Sequence, residues 1–153
     1  MNYLELKVPP PLVALGLAIP MWLVSSLVQP PNVPSGFRVG VAFVLVLLGL
    51  SISIAGVVWF RRAKTTINPI KASAASSLVT SGVYRFTRNP MYLGLLLTLL
   101  AWAAFLSSLI AVLFLPVFVL YINRFQISPE ERVLSSLFGA EYLEYKKTVR
   151  RWL

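Results

Sequence analysis

No cysteine and no histidine occur in the 153 residues, and the five acidic residues are all glutamates: Glu5, Glu130, Glu131, Glu141 and Glu144. These absences exclude whole classes of chemistry. A disulfide framework, a Cys/His zinc site, a cysteine nucleophile and a Ser-His-Asp triad all need residues the chain does not have. Charge is scarce as well: 12% of residues are charged against 58% hydrophobic, and the mean hydropathy is +0.78. A water-soluble domain of this length could not bury so much apolar surface, so a bilayer must take up the excess. No polar linker or low-complexity stretch divides the chain, which reads as one membrane domain over residues 1–153.

What charge there is leans strongly positive, with a net +9. The basic residues cluster at the ends of apolar runs, where anionic headgroups lie, so membrane lipids and not nucleic acid are the expected polyanionic partner. The first run, residues 12–28, follows Pro9-Pro10-Pro11 and contains Pro20, which predicts a kink. Its flanks suit a retained span better than a cleaved signal, since Glu5 offsets Lys7 and Gln29-Pro30-Pro31 is a poor cleavage site. The second run, 39–60, is uncharged, long enough for a hydrocarbon core of ~30 Å, and ends on Trp59-Phe60-Arg61-Arg62. From Met91 to Asn123 the chain is apolar apart from Ser107-Ser108, which predicts two spans, 91–106 and 109–123, joined as a helical hairpin.

The expected fold is therefore all-α and integral to the membrane: four transmembrane helices, the third and fourth a hairpin, with a C-terminal amphipathic helical tail. In the tail, apolar residues from Val133 to Trp152 recur at helical spacing and predict a helix lying along the membrane surface. Four spans place both termini and the 61–90 loop on one side, with thirteen of the fourteen basic residues; Arg38 alone lies opposite. The positive-inside rule makes that crowded side cytoplasmic, in an inner membrane if the source is bacterial and an endoplasmic reticulum if it is eukaryotic.

The spans hold no ionisable side chain, which argues against a proton-coupled transporter. Any chemistry must come from segments 61–90 and 124–153, and the hairpin between them returns both to one face. The first carries Leu78-Val79-Thr80-Ser81-Gly82-Val83-Tyr84-Arg85-Phe86-Thr87-Arg88-Asn89-Pro90-Met91-Tyr92-Leu93-Gly94; the second carries Ser128-Pro129-Glu130-Glu131, Phe138-Gly139 and Tyr142-Leu143-Glu144-Tyr145.

In order, spacing and topology these groups resemble the isoprenylcysteine carboxyl methyltransferases and the related phospholipid methyltransferases, membrane-embedded enzymes that use S-adenosyl-L-methionine. The resemblance runs from about Thr66 to Trp152. It implies S-adenosylmethionine-dependent methylation of a hydrophobic, lipid-like or prenylated small molecule, with the carboxylate of a prenylcysteine-like compound as one acceptor. It further implies that Ser76, Ser77, Leu78, Val79 and Tyr84 line the adenosine, with Asn89, Pro90, Met91 and Tyr92 beside them and Glu130 and Glu131 reaching in from the tail. The family's substrate-orienting arginine aligns with Gln126, one step in the pattern from Arg124, so these two are the implied substrate contacts. Asn89, Tyr92 and Arg124 are the implied catalytic positions, and no metal is implied. Asn89 departs from the usual family histidine; its amide exchanges hydrogen bonds but cannot take up a proton near neutral pH.

Methyl transfer from a sulfonium is an in-line displacement that asks the protein chiefly for positioning and exclusion of water. A carboxylate acceptor is already ionised at neutral pH, whereas an ammonium must first lose a proton; with no His, Cys or Asp, carboxylate or thiol acceptors are favoured. Structural readings stand beside the functional ones. Ser128, Pro129 and Glu131 form a capping-box pattern, Arg85 and Arg88 suit either headgroup phosphates or a cofactor carboxylate, and Tyr142 and Tyr145 suit interfacial anchors. Two rival functions are an NADPH-dependent reductase, as in sterol reductases with a similar Arg-x-Pro-x-Tyr box, and a non-catalytic membrane interaction protein. Against the first, Leu95 follows the box glycine where those reductases carry an acidic residue.

Overall fold

The computed structural model describes residues 5–28, 31–63 and 77–153, which are helical with no strand among them. Helix α1 spans Pro10–Ser26 and α2 spans Ser35–Arg62. A 3₁₀ turn at Gly82–Arg85 precedes α3, Pro90–Leu106. Two shorter pieces follow, α4 (Leu109–Val112) and α5 (Phe114–Ile122), then a π turn at Asn123–Ile127 and α6, Ser128–Thr148.

Local chemistry sets the boundaries. Proline opens α1 and α3 at the first turn, where its missing N–H costs nothing. The α3–α4 turn is the expected hairpin bend: Ser107 adopts a left-handed φ of 51°, and Ser108 Oγ accepts from Ala111 N at 3.2 Å to cap the next helix. The paths Ser35–Arg62 and Leu109–Thr148 are long and apolar enough to cross a membrane, while α1 and α3 are shorter apolar helices of 17 residues. Leu12, Leu15, Ile19, Phe37, Phe43 and Ile54 are each more than half exposed on the outer faces of α1 and α2. Side chains of this kind over so wide a surface call for lipid, not water.

Small residues bring the helices together. Helix α3 runs antiparallel to α2, and a Cβ on Gly94 would lie 1.9 Å from Ser53 Oγ and 2.4 Å from the Gly49 carbonyl oxygen. Only glycine permits that approach. Helix α1 lies alongside α3, fixed by Trp102 Nε1 donating to the Ala18 carbonyl at 3.0 Å. Met21, Leu99, Ala103, Ala111, Phe118 and Ile122 fill the core between α1, α3 and the α4–α5 return.

Three features differ from the sequence reading. First, helix continues through residue 124: Ser128 has helical dihedrals and its Oγ donates to the Asn123 carbonyl at 2.7 Å, so Ser128 and Glu131 form no capping box. Second, the tail turns its apolar face inward. Tyr142, Tyr145 and Val149 pack with Leu78, Leu134 and Phe138, because burying these rings against the loop satisfies them without lipid. Tyr142 and Tyr145 are thus interior residues and not interfacial anchors. Third, residues 6–8 are tied to the π turn and residues 150–151 to the loop before α3. Gln126 Nε2 donates to the Val8 carbonyl at 2.7 Å and Leu6 N to Phe125 O at 3.0 Å, while Arg88 N donates to Arg150 O at 3.0 Å.

Candidate active site

The site begins with a glycine. Gly82 has φ +62°, and a Cβ there would sit 2.0 Å from the Trp59 ring, so the turn entering the box closes directly onto the end of α2. The 3₁₀ turn that follows buries Tyr84 edge-on against Phe60, ring centroids 5.2 Å apart, and lets its carbonyl accept from Tyr145 Oη at 2.7 Å. The loop is thereby locked between α2 and α6. Thr87 Oγ1 and Asn89 Nδ2 both donate to the Arg151 carbonyl, at 3.1 and 2.9 Å. The Asn89 amide therefore holds the C-terminal segment in place.

These contacts enclose a cavity of about 380 Å³ between the start of α1, the second half of α2, the loop, α3 and α6. That is within the usual range for small-molecule sites, ~300–1,000 Å³. Of the sequence-predicted residues, Ser77, Leu78, Val79, Tyr84, Asn89, Pro90, Met91, Tyr92, Glu130 and Glu131 all line it. Ser76 lies outside the described residues. Arg124 and Gln126 do not line it: Arg124 is exposed, and Gln126 is buried, its Nε2 donating to the Val8 carbonyl and its Oε1 without a hydrogen-bond partner among the described residues. The physical reason is the π turn, whose wider winding rotates residues 123–127 away from the facing that a regular helix would give them.

Electrostatics divide the two glutamates. Burial works to raise Glu131, but Arg151 donates to it twice, through Nε at 2.9 Å and Nη2 at 2.7 Å, and Arg88 and Lys146 stand at 3.1 and 3.8 Å. The cations prevail and hold its carboxyl below the usual range. Glu130 has no ion pair with a cation among the described residues. Burial pushes it up to about 7, the Glu131 charge adds to the rise, and a 2.5 Å hydrogen bond from Tyr92 Oη to Oε1 partly offsets it. Burial also raises the Tyr142 hydroxyl to about 12, and those of Tyr84 and Tyr145 well above their usual value.

The wall holds polar groups that its own residues do not satisfy. Arg88 Nε and Nη1 and Tyr84 Oη are buried with no hydrogen-bond partner among the described residues. Arg88 Nη1 has the Glu131 carboxylate nearby as an ion pair, without hydrogen-bond geometry. An anion reaching into the cavity would complete both nitrogens. Sequence reasoning left Arg88 between two roles and did not see Arg151, whose partners lie far away along the chain. A second, mostly apolar groove runs between α1, α2 and α3 past Ala42, Phe43 and Trp102, and it shares Pro11 and Leu95 with the first cavity.

Comparison with known proteins gives consistent results. Residues 37–141 match the phospholipid methyltransferase family. A probable protein-S-isoprenylcysteine O-methyltransferase of Oryza sativa subsp. japonica is 31% identical over 143 residues, covering 92% of this chain and 73% of the relative. Protein-S-isoprenylcysteine O-methyltransferase A of Arabidopsis thaliana is 30% identical over 106 residues, 69% of this chain and 54% of its own length, so the match spans about half of that protein. A methanethiol S-methyltransferase 1 of Bradyrhizobium diazoefficiens is 42% identical over 67 residues, 44% of this chain and 22% of the relative. No solved structure matches.

Proposed function

The chain belongs to the phospholipid methyltransferase family, and on that premise we propose that it is an S-adenosylmethionine-dependent methyltransferase acting on a hydrophobic, lipid-like acceptor at the cytoplasmic face of its membrane. The observation that carries this reading is the Arg88 guanidinium, whose Nε and Nη1 are buried in the wall of a mostly apolar cavity with no hydrogen-bond partner among the described residues. A cofactor with a carboxylate, a flat base and a compact positive centre suits that chemistry. In this reading Arg88 takes the carboxylate, Leu78, Val79 and Tyr84 pack the adenosine, and Ser77, Pro90 and Met91 complete that wall. Glu130 meets the reacting end beside Tyr92, and Glu131 contributes by holding Arg88. Asn89 acts through Arg151, as a positioning residue.

When bound, the cofactor supplies an electrophilic methyl group. The chain's own residues orient it, exclude water through the Tyr84, Tyr142 and Tyr145 wall, and present the acceptor from the adjoining groove. The continuity through Pro11 and Leu95 supports an acceptor with an apolar tail lying among α1, α2 and α3. Relatives named for isoprenylcysteine and for methanethiol make both an oxygen and a sulfur acceptor compatible with the family.

The topology belongs to the same reading: four spans, with the box, the α6 tail and both ends on the cytoplasmic side, as the charge asymmetry requires. A cysteine placed at Ser136 should react with impermeant reagents only from the cytoplasmic side, and labelling from the other side would reverse the orientation. Membranes containing the protein, given methyl-tritiated S-adenosylmethionine and a lipid extract, should transfer label into the organic phase. Absence of transfer, with intact cofactor recovered, would refute the activity.

A further inference from the structure

We infer that the acceptor nucleophile of this site is a neutral thiol on an apolar chain, and that Glu130 takes its proton as the sulfur attacks; the inference rests on the methyltransferase reading above. It starts from a shortage of cations. Of the arginines and lysines described, Arg88 alone lines the cavity. In that reading the cofactor's carboxylate takes its Nε and Nη1 as hydrogen-bond donors, and Glu131 already stands 3.1 Å from Nη1 as an ion pair. The position where an acceptor carboxylate would find an arginine holds Gln126, fully buried and bonded to Val8; Arg124 is on the surface. A second carboxylate entering here would face Glu130 and Glu131 with no guanidinium of its own, and an unpaired buried charge is strongly unfavourable. An ammonium would pair with Glu130 but has no lone pair to attack with until it loses a proton, and an amine of ordinary value, ~10.4, holds that proton far more tightly than Glu130 can. A thiol enters without charge, as the apolar groove requires.

Glu130 has the geometry to receive a proton. Tyr92 occupies Oε1; Oε2 has no partner among the described residues, and the side chain lines the cavity. Around it stand Tyr92 from α3, Tyr84 from the loop and Glu131 from its own helix, and among the described residues no cation pairs with it. Its affinity for a proton, near 7, is within reach of a thiol's, ~8.5, and far from an alcohol's. The step balances. The S–H proton passes to the Glu130 carboxylate, the sulfur lone pair forms the new bond to the methyl carbon, and the bond from that carbon to the sulfonium sulfur breaks, leaving a neutral thioether on each side. The proton then leaves to water.

The test uses the full chain in nanodiscs, with 1-dodecanethiol and dodecanoate as probes of equal length, and S-adenosylhomocysteine binding measured in parallel. With bound cofactor, dodecyl methyl sulfide should form at least about 100-fold faster than methyl dodecanoate. On the homocysteine-loaded protein, dodecanethiol and not dodecanoate should quench the tryptophan fluorescence arising beside the groove. Glu130→Gln should lose roughly 100-fold or more of dodecanethiol turnover at saturating cofactor. A 4-dodecylthiophenol, whose thiol ionises near neutral pH, should restore most of that loss. Methyl ester as the main product, no thioether from a protein that binds S-adenosylhomocysteine, or equal losses for both thiols in Glu130→Gln would each overturn the inference while leaving the methyltransferase reading intact. Failure to bind S-adenosylhomocysteine at all would remove that reading, and the inference with it.

Discussion

Tyr92 and Glu130 join the first turn of α3 to the first turn of α6 through a 2.5 Å hydrogen bond from the phenol to Oε1. The pair sits on the cavity wall, and the bond favours the ionised carboxylate against the burial that opposes it. Tyr92→Phe should therefore move the Glu130 protonation midpoint above about 7. The carboxyl band in infrared difference spectra, identified by its loss in Glu130→Gln, reports that midpoint. An unchanged midpoint would mean the phenol does not tune the carboxyl.

Glu130 also makes a stability prediction of definite sign. Its folded value, near 7, lies above the ordinary 4.5, so between those pH values the unfolded chain has released a proton that the folded one keeps. Stability should consequently fall as pH rises through that window, by on the order of 3 kcal/mol from this group alone. Glu130→Gln removes the effect and should raise the melting temperature of the cofactor-free protein at pH 8, with little gain at pH 4.5. A variant that is less stable at pH 8 would contradict the buried, cation-free setting.

Glu131 should behave in the opposite way. Paired with Arg151, Arg88 and Lys146, its carboxylate contributes stability that is present above the ordinary carboxylate value and lost as pH falls through its lowered one. Glu131→Gln should cost about 1–3 kcal/mol at pH 7. It should also loosen Arg88 and weaken cofactor binding. Thermal denaturation at pH 7 and at pH 3 checks both halves, because the difference from wild type should shrink at the lower pH.

The helices were legible in the sequence because proline, serine and long uncharged runs act locally: Asn89-Pro90 starts α3 and Ser107-Ser108 turns it. The clustering of Leu78, Tyr84, Tyr92 and Glu130 was legible through a family pattern and the geometry of a hairpin. Other contacts were not, since they depend on distant partners. Asn89 meets Arg151, 62 residues away, and Gln126 meets Val8, 118 residues away. The π turn changes the facing of residues 123–127 without any composition signal, so the family pattern that carried Gln126 and Arg124 over as substrate contacts gave no sign that neither lines the cavity.

Gly82 offers a test of how the loop is held. Gly82→Ala would place a methyl group within the Trp59 ring and force an alanine into a left-handed φ. The turn should detach from α2, and cofactor binding should fall at least about tenfold while the core around Phe118 and Ile122 stays protected from hydrogen exchange. Normal binding in this variant would show that the Trp59 contact does not shape the cavity.

The most direct test is calorimetric titration of the purified protein in nanodiscs with S-adenosylhomocysteine, alongside NADPH and the Arg88→Met variant. The account predicts saturable binding of S-adenosylhomocysteine at one site per chain, weakened by about one to two orders of magnitude in Arg88→Met through loss of charge-assisted hydrogen bonds, and no saturable binding of NADPH. Saturable NADPH binding with none of S-adenosylhomocysteine would contradict the account at its centre.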